Sequence, residues 1–145
     1  IDIGKPEEYL EINKTLLDSF NVSQKCKIEN RGEVKKPVAF DKGVSIGKRS
    51  ITGPYAVLGQ NVIVGNNVRI KDSVIFPKTV IHDFALINGA IIGEGVVIGR
   101  GVKISRRCIL GDYAKIKDNV SLASSVSICP AKEISESVLT PKCII

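Results

Sequence analysis

IGEGVVIGRGVKISRRCILGDYAKIKDNVSLASSVSI, residues 92–128, repeats itself every six residues. Ile92, Ile98, Ile104, Leu110, Ile116, Leu122 and Ile128 hold one aliphatic position of the repeat. A smaller side chain follows each of the first six by four residues, at Val96, Val102, Cys108, Ala114, Val120 and Val126. Glycine often stands directly after the aliphatic residue, as at Gly93, Gly99 and Gly111. A six-residue period cannot keep one stripe on a helix of about 3.6 residues per turn, but it suits short strands joined at corners. Each hexapeptide then supplies one strand and one turn, with the aliphatic residue and its companion pointing inward. Three of them close a triangular coil of 18 residues. Ile98, Val102, Leu110 and Ile116 are expected in the core, with Gly99 and Gly111 at turns.

The template continues backwards through Phe76, Ile70, Val64, Leu58, Thr52, Ile46 and Phe40, with companions Val80, Val74, Val68, Val62, Ala56, Ser50 and Val44. Weaker echoes reach Val22, Ile28 and Val34. Coils are thus expected at 22–39, 40–57, 58–75, 92–109, 110–127 and 128–145, with a short one at 76–91. The shortening is placed in the stretch 76–85, FPKTVIHDFA, which contains the single histidine, His82. The reading is an all-β parallel β-helix of about seven coils, some 34 Å long at roughly 4.8 Å per rung. Such a column buries its core only by stacking coil on coil.

Composition agrees. Val and Ile dominate, aromatics are 5%, and Trp and Met are absent; a β-branched core favours strands. No apolar run approaches the roughly 20 residues of a membrane span. Cys26, Cys108, Cys129 and Cys143 form no CxxC pair and have one histidine for company, so a zinc site is not expected and reduced thiols of a cytoplasmic protein are. The net charge of +6 lacks the aromatic platforms of single-strand nucleic-acid binders, so no nucleic-acid partner is expected. A denser basic cluster at Lys25, Lys27, Arg31, Lys35 and Lys36 can attract an anion. The chain opens at Ile1 without Met, inside what reads as a structured segment, and is taken as the C-terminal part of something longer.

Residues 1–20, IDIGKPEEYLEINKTLLDSF, stand outside the repeat. Pro6 suits a first helical turn, Glu7 and Glu8 favour its positive end, and Tyr9, Asn13, Leu16, Leu17 and Phe20 form a mainly apolar face. A helix over about 6–19 follows, needing either the β-helix or a missing domain as its partner.

The stretch Asp2-Ile3-Gly4-Lys5-Pro6-Glu7-Glu8-Tyr9-Leu10 resembles the end of the catalytic domain of sugar-1-phosphate nucleotidyltransferases, mannose-1-phosphate guanylyltransferases above all. Lys5 departs from the threonine common there. In that family the same order holds: this motif, a helix, then a hexapeptide β-helix. The resemblance implies a left-handed coil, against the right-handed rule for ordinary crossovers. It implies that residues 1–21 close the catalytic domain and 22–145 form the β-helix. It further implies that Asp2 helps hold magnesium in the intact enzyme, while a sugar 1-phosphate attacks the α-phosphate of a nucleoside triphosphate, as in GDP-mannose formation. The piece itself is expected to hold no cofactor, to be inactive alone, and to assemble subunits.

Two other functions fit a hexapeptide column. One is acyl transfer with His82 as general base, although the long loop usual in that group is missing. The other is a non-catalytic regulatory or scaffold relative. A carbonic anhydrase of this fold would need three histidine ligands and is excluded. Homo-oligomerisation, as a dimer or trimer, is expected through an outward apolar stripe of Ile75, Ile81, Ile91, Val97 and Ile109, unless that stripe docks the helix or the missing domain.

Overall fold

The structure, a computed structural model, describes residues 5–19 and 29–145. One helix, α1 (Pro6–Ser19), precedes twenty short strands, most of two residues. Every strand pair is parallel, and strands three apart in sequence are neighbours except in the last pair, Ser127–Ile128 with Cys143–Ile144, giving three sheets of seven, six and seven strands. These are the three faces of a triangular prism between six and seven coils high. We call them the first face (from Glu29–Asn30 to Glu133–Ile134), the second (from Glu33–Val34 to Ser121–Leu122) and the third (from Val38–Phe40 to Cys143–Ile144).

The inward positions make one continuous core. Ile98, Val102 and Leu110 are fully buried and Ile116 is 2% exposed, as the repeat predicts. Gly99 and Gly111 come directly after their strands, at corners. A Cβ on Gly99 would sit 2.7 Å from the backbone nitrogen of Asp118 one coil on, which is why the residue after the strand is so often glycine.

Each corner turns on a residue of positive φ, and the corner at Tyr55 has a second one, Gly53. The series runs Gly43, Arg49, Tyr55, Asn61, Asn67, Asp72, Lys78, Phe84, Gly89, Gly95, Gly101, Arg107 and onward to Ala131. A left-handed residue other than glycine costs roughly 1–2 kcal/mol. The two inward side chains of each hexapeptide return about 1.5–3 kcal/mol apiece when buried. Burial wins, so most corners need no glycine. The corner N–H groups are met from the next coil: Asn66 Oδ1 accepts from Lys48 N at 2.8 Å, Asp83 Oδ1 from Asn66 N at 2.9 Å, and Asp118 Oδ1 from Arg100 N at 2.8 Å.

The same series locates the shortening, and it is not where the sequence suggested. Steps are six residues except from Asn67 to Asp72 and from Phe84 to Gly89, which are five. One residue is therefore missing at each of two successive corners between the second and third faces. Three corrections follow. The His82 corner is full length. Ser73 and Thr79 are the inward companions, both fully buried, in place of Val74 and Val80. Ile75 takes the aliphatic position in place of Phe76, being fully buried and part of the core cluster.

Helix α1 is capped as its sequence suggests, with Lys5 O accepting from Tyr9 N at 3.2 Å and Glu7 and Glu8 in the first turn. It lies along the corner between the second and third faces. Glu7 pairs with Arg107 at 3.4 Å, Lys14 with Asp72 at 3.6 Å, and Asp18 accepts from the Tyr55 hydroxyl at 3.0 Å. The eleven helical steps from Glu7 to Asp18 rise about 16 Å, close to the roughly 14 Å of the three rungs between Arg107 and Tyr55. The helix thus runs along the prism, opposite to the direction of coiling.

On the third face Val74 and Ile91 point outward yet are 3% and 0% exposed, and on the helix Leu17 is 7% exposed. The docking edge is Leu17 with the half-buried Asn13 and Lys14, whereas Tyr9 and Leu16 stay exposed at 38% and 49%. Phe20 lies outside the described residues. The predicted outward stripe is corrected too: Ile75 and Ile81 belong to the core and Ile91 is covered. Only Val97 and Ile109 remain partly open.

Candidate functional site

Of the residues singled out from sequence, Asp2 lies outside the described residues, as do Cys26, Lys25 and Lys27. His82 is exposed, one residue past the strand Val80–Ile81, at the corner between the first and second faces. Its backbone N–H donates to Ile98 O at 2.9 Å. The adjacent Asp83 carboxylate already accepts from the Asn66 N–H. Beyond it the Arg100 guanidinium stacks 4.9 Å from the Phe84 ring centre. A general-base histidine works when a second group orients its ring, and among the described residues no side chain hydrogen-bonds the His82 imidazole. Nor do the described residues contain a group of three or more His, Cys, Asp and Glu that could hold a metal ion. Among the described residues no helix is long and apolar enough to cross a membrane.

The structure instead concentrates charge at the shortened corner, which the sequence reading did not single out. Asp72 adopts φ 52°, is 6% exposed, and accepts from Arg106 Nη2 at 3.2 Å while pairing with Lys14. Lys14 also lies 5.5 Å from the Tyr55 ring centre. The hydrogen bond to Asp18, followed by partial burial and nearby carboxylates, holds the Tyr55 phenol above its usual range. Asp72 is committed to two cations and Asp18 to a phenol, so the cluster fastens α1 to the column. A signal existed: Lys71-Asp72-Ser73 places three polar residues where the template calls for a corner followed by a small apolar companion.

A second feature was half visible. The outer side of the second face forms a groove of about 400 Å³, lined among others by Lys35, Arg69 and Lys71 with Ile51 and Leu86 between them. Lys35 belongs to the basic cluster noted in the sequence. Arg31, of that same cluster, is paired with Glu29 at 3.3 Å.

Comparison with solved structures places this geometry among known folds. A hexapeptide transferase family protein from Anaplasma phagocytophilum superposes with a TM-score of 0.65 at 19% identity, over 79% of this chain and 77% of that one. A GDP-perosamine N-acetyltransferase from Caulobacter crescentus, solved with CoA and GDP-perosamine, gives 0.55 at 16% identity over 97% of this chain and 62% of that one. The UDP-N-acetylglucosamine acyltransferase of Francisella novicida gives 0.54 at 16% identity, over 77% and 63%. At such identities the likeness is one of fold, the left-handed parallel β-helix of hexapeptide repeats. This chain spans under two thirds of the two acyltransferases and about three quarters of the first protein. Comparison with curated proteins gives no match. The match that reaches past fold is to a family model covering residues 34–144, from the second face's first strand to its third face's last, and by it the chain belongs to the GMPPB C-terminal domain family.

Proposed function

We propose that this chain is the C-terminal β-helix of a sugar-1-phosphate nucleotidyltransferase of the mannose-1-phosphate guanylyltransferase kind, and that it assembles subunits and carries the catalytic domain. The supporting observation is the family match over residues 34–144, joined to a motif and helix at 1–19 that stand in the order expected at the end of that catalytic domain. In this reading residues 1–21 close the catalytic domain and 22–145 are the column. The α1 latch gives the reading a mechanical sense: a helix fastened along three rungs transmits the orientation of whatever precedes it.

The reaction assigned to the longer chain is attack of a sugar 1-phosphate oxygen on the α-phosphorus of a nucleoside triphosphate, with pyrophosphate leaving. Magnesium would neutralise the phosphates there. The described residues offer it no donor cluster, so its ligands, Asp2 included, would come from outside them. Acyl transfer is the lesser reading, because the exposed His82 has no orienting partner and the acyltransferase likeness is one of fold.

The test is pyrophosphate release from GTP and mannose 1-phosphate by the longer chain, against the 145-residue chain as control. Turnover by the first only, reduced about a hundredfold or more by Asp2→Ala, is the expected result. Acetyl transfer from acetyl-CoA to an amino-sugar nucleotide, lost on His82→Ala, would overturn it.

A further inference from the structure

The second face carries a charge imbalance that neither the fold nor the proposed catalysis uses. Arg69 and Lys71 both point outward on either side of the buried Ile70. Two residues apart on a strand, their Cα atoms are about 6.6 Å from each other. The register puts Ile51 one rung before Arg69 and Leu86 one rung after it. In the neighbouring column Lys71 has Asn88 on one side and, by the same register, Gly53 and then Lys35 on the other.

Lys35, Arg69 and Lys71 are exposed and have no ion pair among the described residues; other exposed lysines such as Lys103 and Lys115 share that, so what sets these three apart is that they line one groove. Among the described outward positions of this face the sole carboxylate is Glu33, two rungs from Arg69. Gly53 makes the patch a groove. Its φ is +100° and a Cβ there would meet Val38 Cγ1 at 2.8 Å, so no side chain fills the rung between Lys35 and Lys71. The resulting space, about 400 Å³, falls within the roughly 300–1,000 Å³ of small-molecule sites.

Arg69 and Lys71 form a cationic pair with Ile51 and the Gly53 gap on the rung below and Leu86 with the Asn88 amide on the rung above, Lys35 lying beyond the gap and Lys103 one rung beyond Leu86. A guanidinium grips one phosphate with paired N–H groups, while lysine serves a second as a point charge. We propose that this groove binds a small molecule with a diphosphate centre and an uncharged group at either end, the chemistry of a nucleoside diphosphate sugar. The choice of this class rests on the function proposed above, in which such a molecule is the product. The groove is then a product-sensing site on the column, separate from catalysis.

Titration of GDP-mannose into the isotope-labelled chain, followed by amide NMR, tests the idea. The expected result is saturable shifts at Gly53, Arg69–Lys71 and Leu86–Asn88, with inorganic pyrophosphate bound about tenfold more weakly or worse. The paired substitution Arg69→Ala and Lys71→Ala should weaken binding at least about tenfold with the thermal midpoint unchanged. Three outcomes would each overturn the inference: no saturable shift at millimolar ligand, pyrophosphate or a single-stranded oligonucleotide bound equally well, or binding indifferent to the paired substitution. Turnover by the longer chain is read separately. Turnover without binding here removes the sensing site alone, and binding without turnover removes the catalytic reading alone.

Discussion

Thr52 occupies an inward aliphatic position, is fully buried, and its hydroxyl has no hydrogen-bond partner among the described residues. The other buried hydroxyls of the column are met: Ser50 Oγ donates to Gly65 O at 2.6 Å, Ser73 Oγ to Lys71 O at 2.8 Å and Thr79 Oγ1 to Gly93 O at 2.8 Å. An unmet buried hydroxyl costs about 1–3 kcal/mol. Thr52→Val, which keeps the shape and removes the hydroxyl, should therefore raise stability by about 1 kcal/mol or more in chemical denaturation, while Thr79→Val should not. Cys108 gives a second prediction. Burial raises its thiol pKa above the ordinary 9.0, outweighing smaller opposing backbone hydrogen bonds. The folded thiol thus keeps its proton where the unfolded one has lost it, so its contribution is intact below pH 9.0 and falls away as pH rises towards the folded value. Alanine already fills this companion position at Ala114, and Cys108→Ala should flatten the loss of melting temperature between about pH 8 and about pH 10. These residues also show why the sequence reading slipped by one. Ser73 and Thr79 are inward because their hydroxyls reach carbonyls at the corners, and a search for apolar companions steps past them to Val74 and Val80.

Helix α1 and the corner beneath it were legible to different degrees. Its ends follow from local chemistry, and the expected span 6–19 matches Pro6–Ser19. Its partner could not be read, because the face chosen from sequence weighted Tyr9 and Leu16. What docks is a narrower edge around Leu17, held by ion pairs whose members lie far apart in the chain. The shortened corners were equally hidden, since two single omissions one coil apart leave the same later phase as a two-residue omission between them. The latch has a measurable weakness. Asp72 faces Lys14 from the helix and Arg106 from its own corner column, at 3.6 and 3.2 Å. Asp72→Asn retains a residue tolerant of positive φ and removes the charge both cations answer to. Amide exchange in α1 is expected to rise about tenfold, as for a lost partly buried pair of near 1.4 kcal/mol. Exchange in the column beyond Val97 should stay as it was. Uniform acceleration throughout would show that Asp72 supports the column and not the helix.

A triangular prism offers three flanks, and in this molecule they differ. The third has α1 fastened along its edge and its outward Val74 and Ile91 buried. The second bears the unpaired cations Lys35, Arg69 and Lys71, and like charges set against a second copy of themselves repel. The first presents Ile63, Val80 and Val97 outward on three successive rungs, with Ile63 49% exposed and the others half-buried. An apolar ladder framed by Ser45 on one side and by Lys115 and then Glu133 on the other has the pattern of an interaction surface, an apolar centre with a polar rim. Of the three flanks it is the one both open and apolar, so any self-association is expected there and not on the stripe through Ile91 and Ile109. A two-fold or three-fold arrangement would bring the ladders of neighbouring columns together without leaving an open end. Light scattering at high micromolar concentration should then report a dimer or trimer. Ile63→Lys with Val97→Lys should return it to monomer while the melting temperature stays close to its starting value, because both side chains point away from the core. Ile109→Lys, on the helix flank, should leave the oligomer intact. A strict monomer, or an oligomer that survives charges on the first face, would exclude that face as the interface.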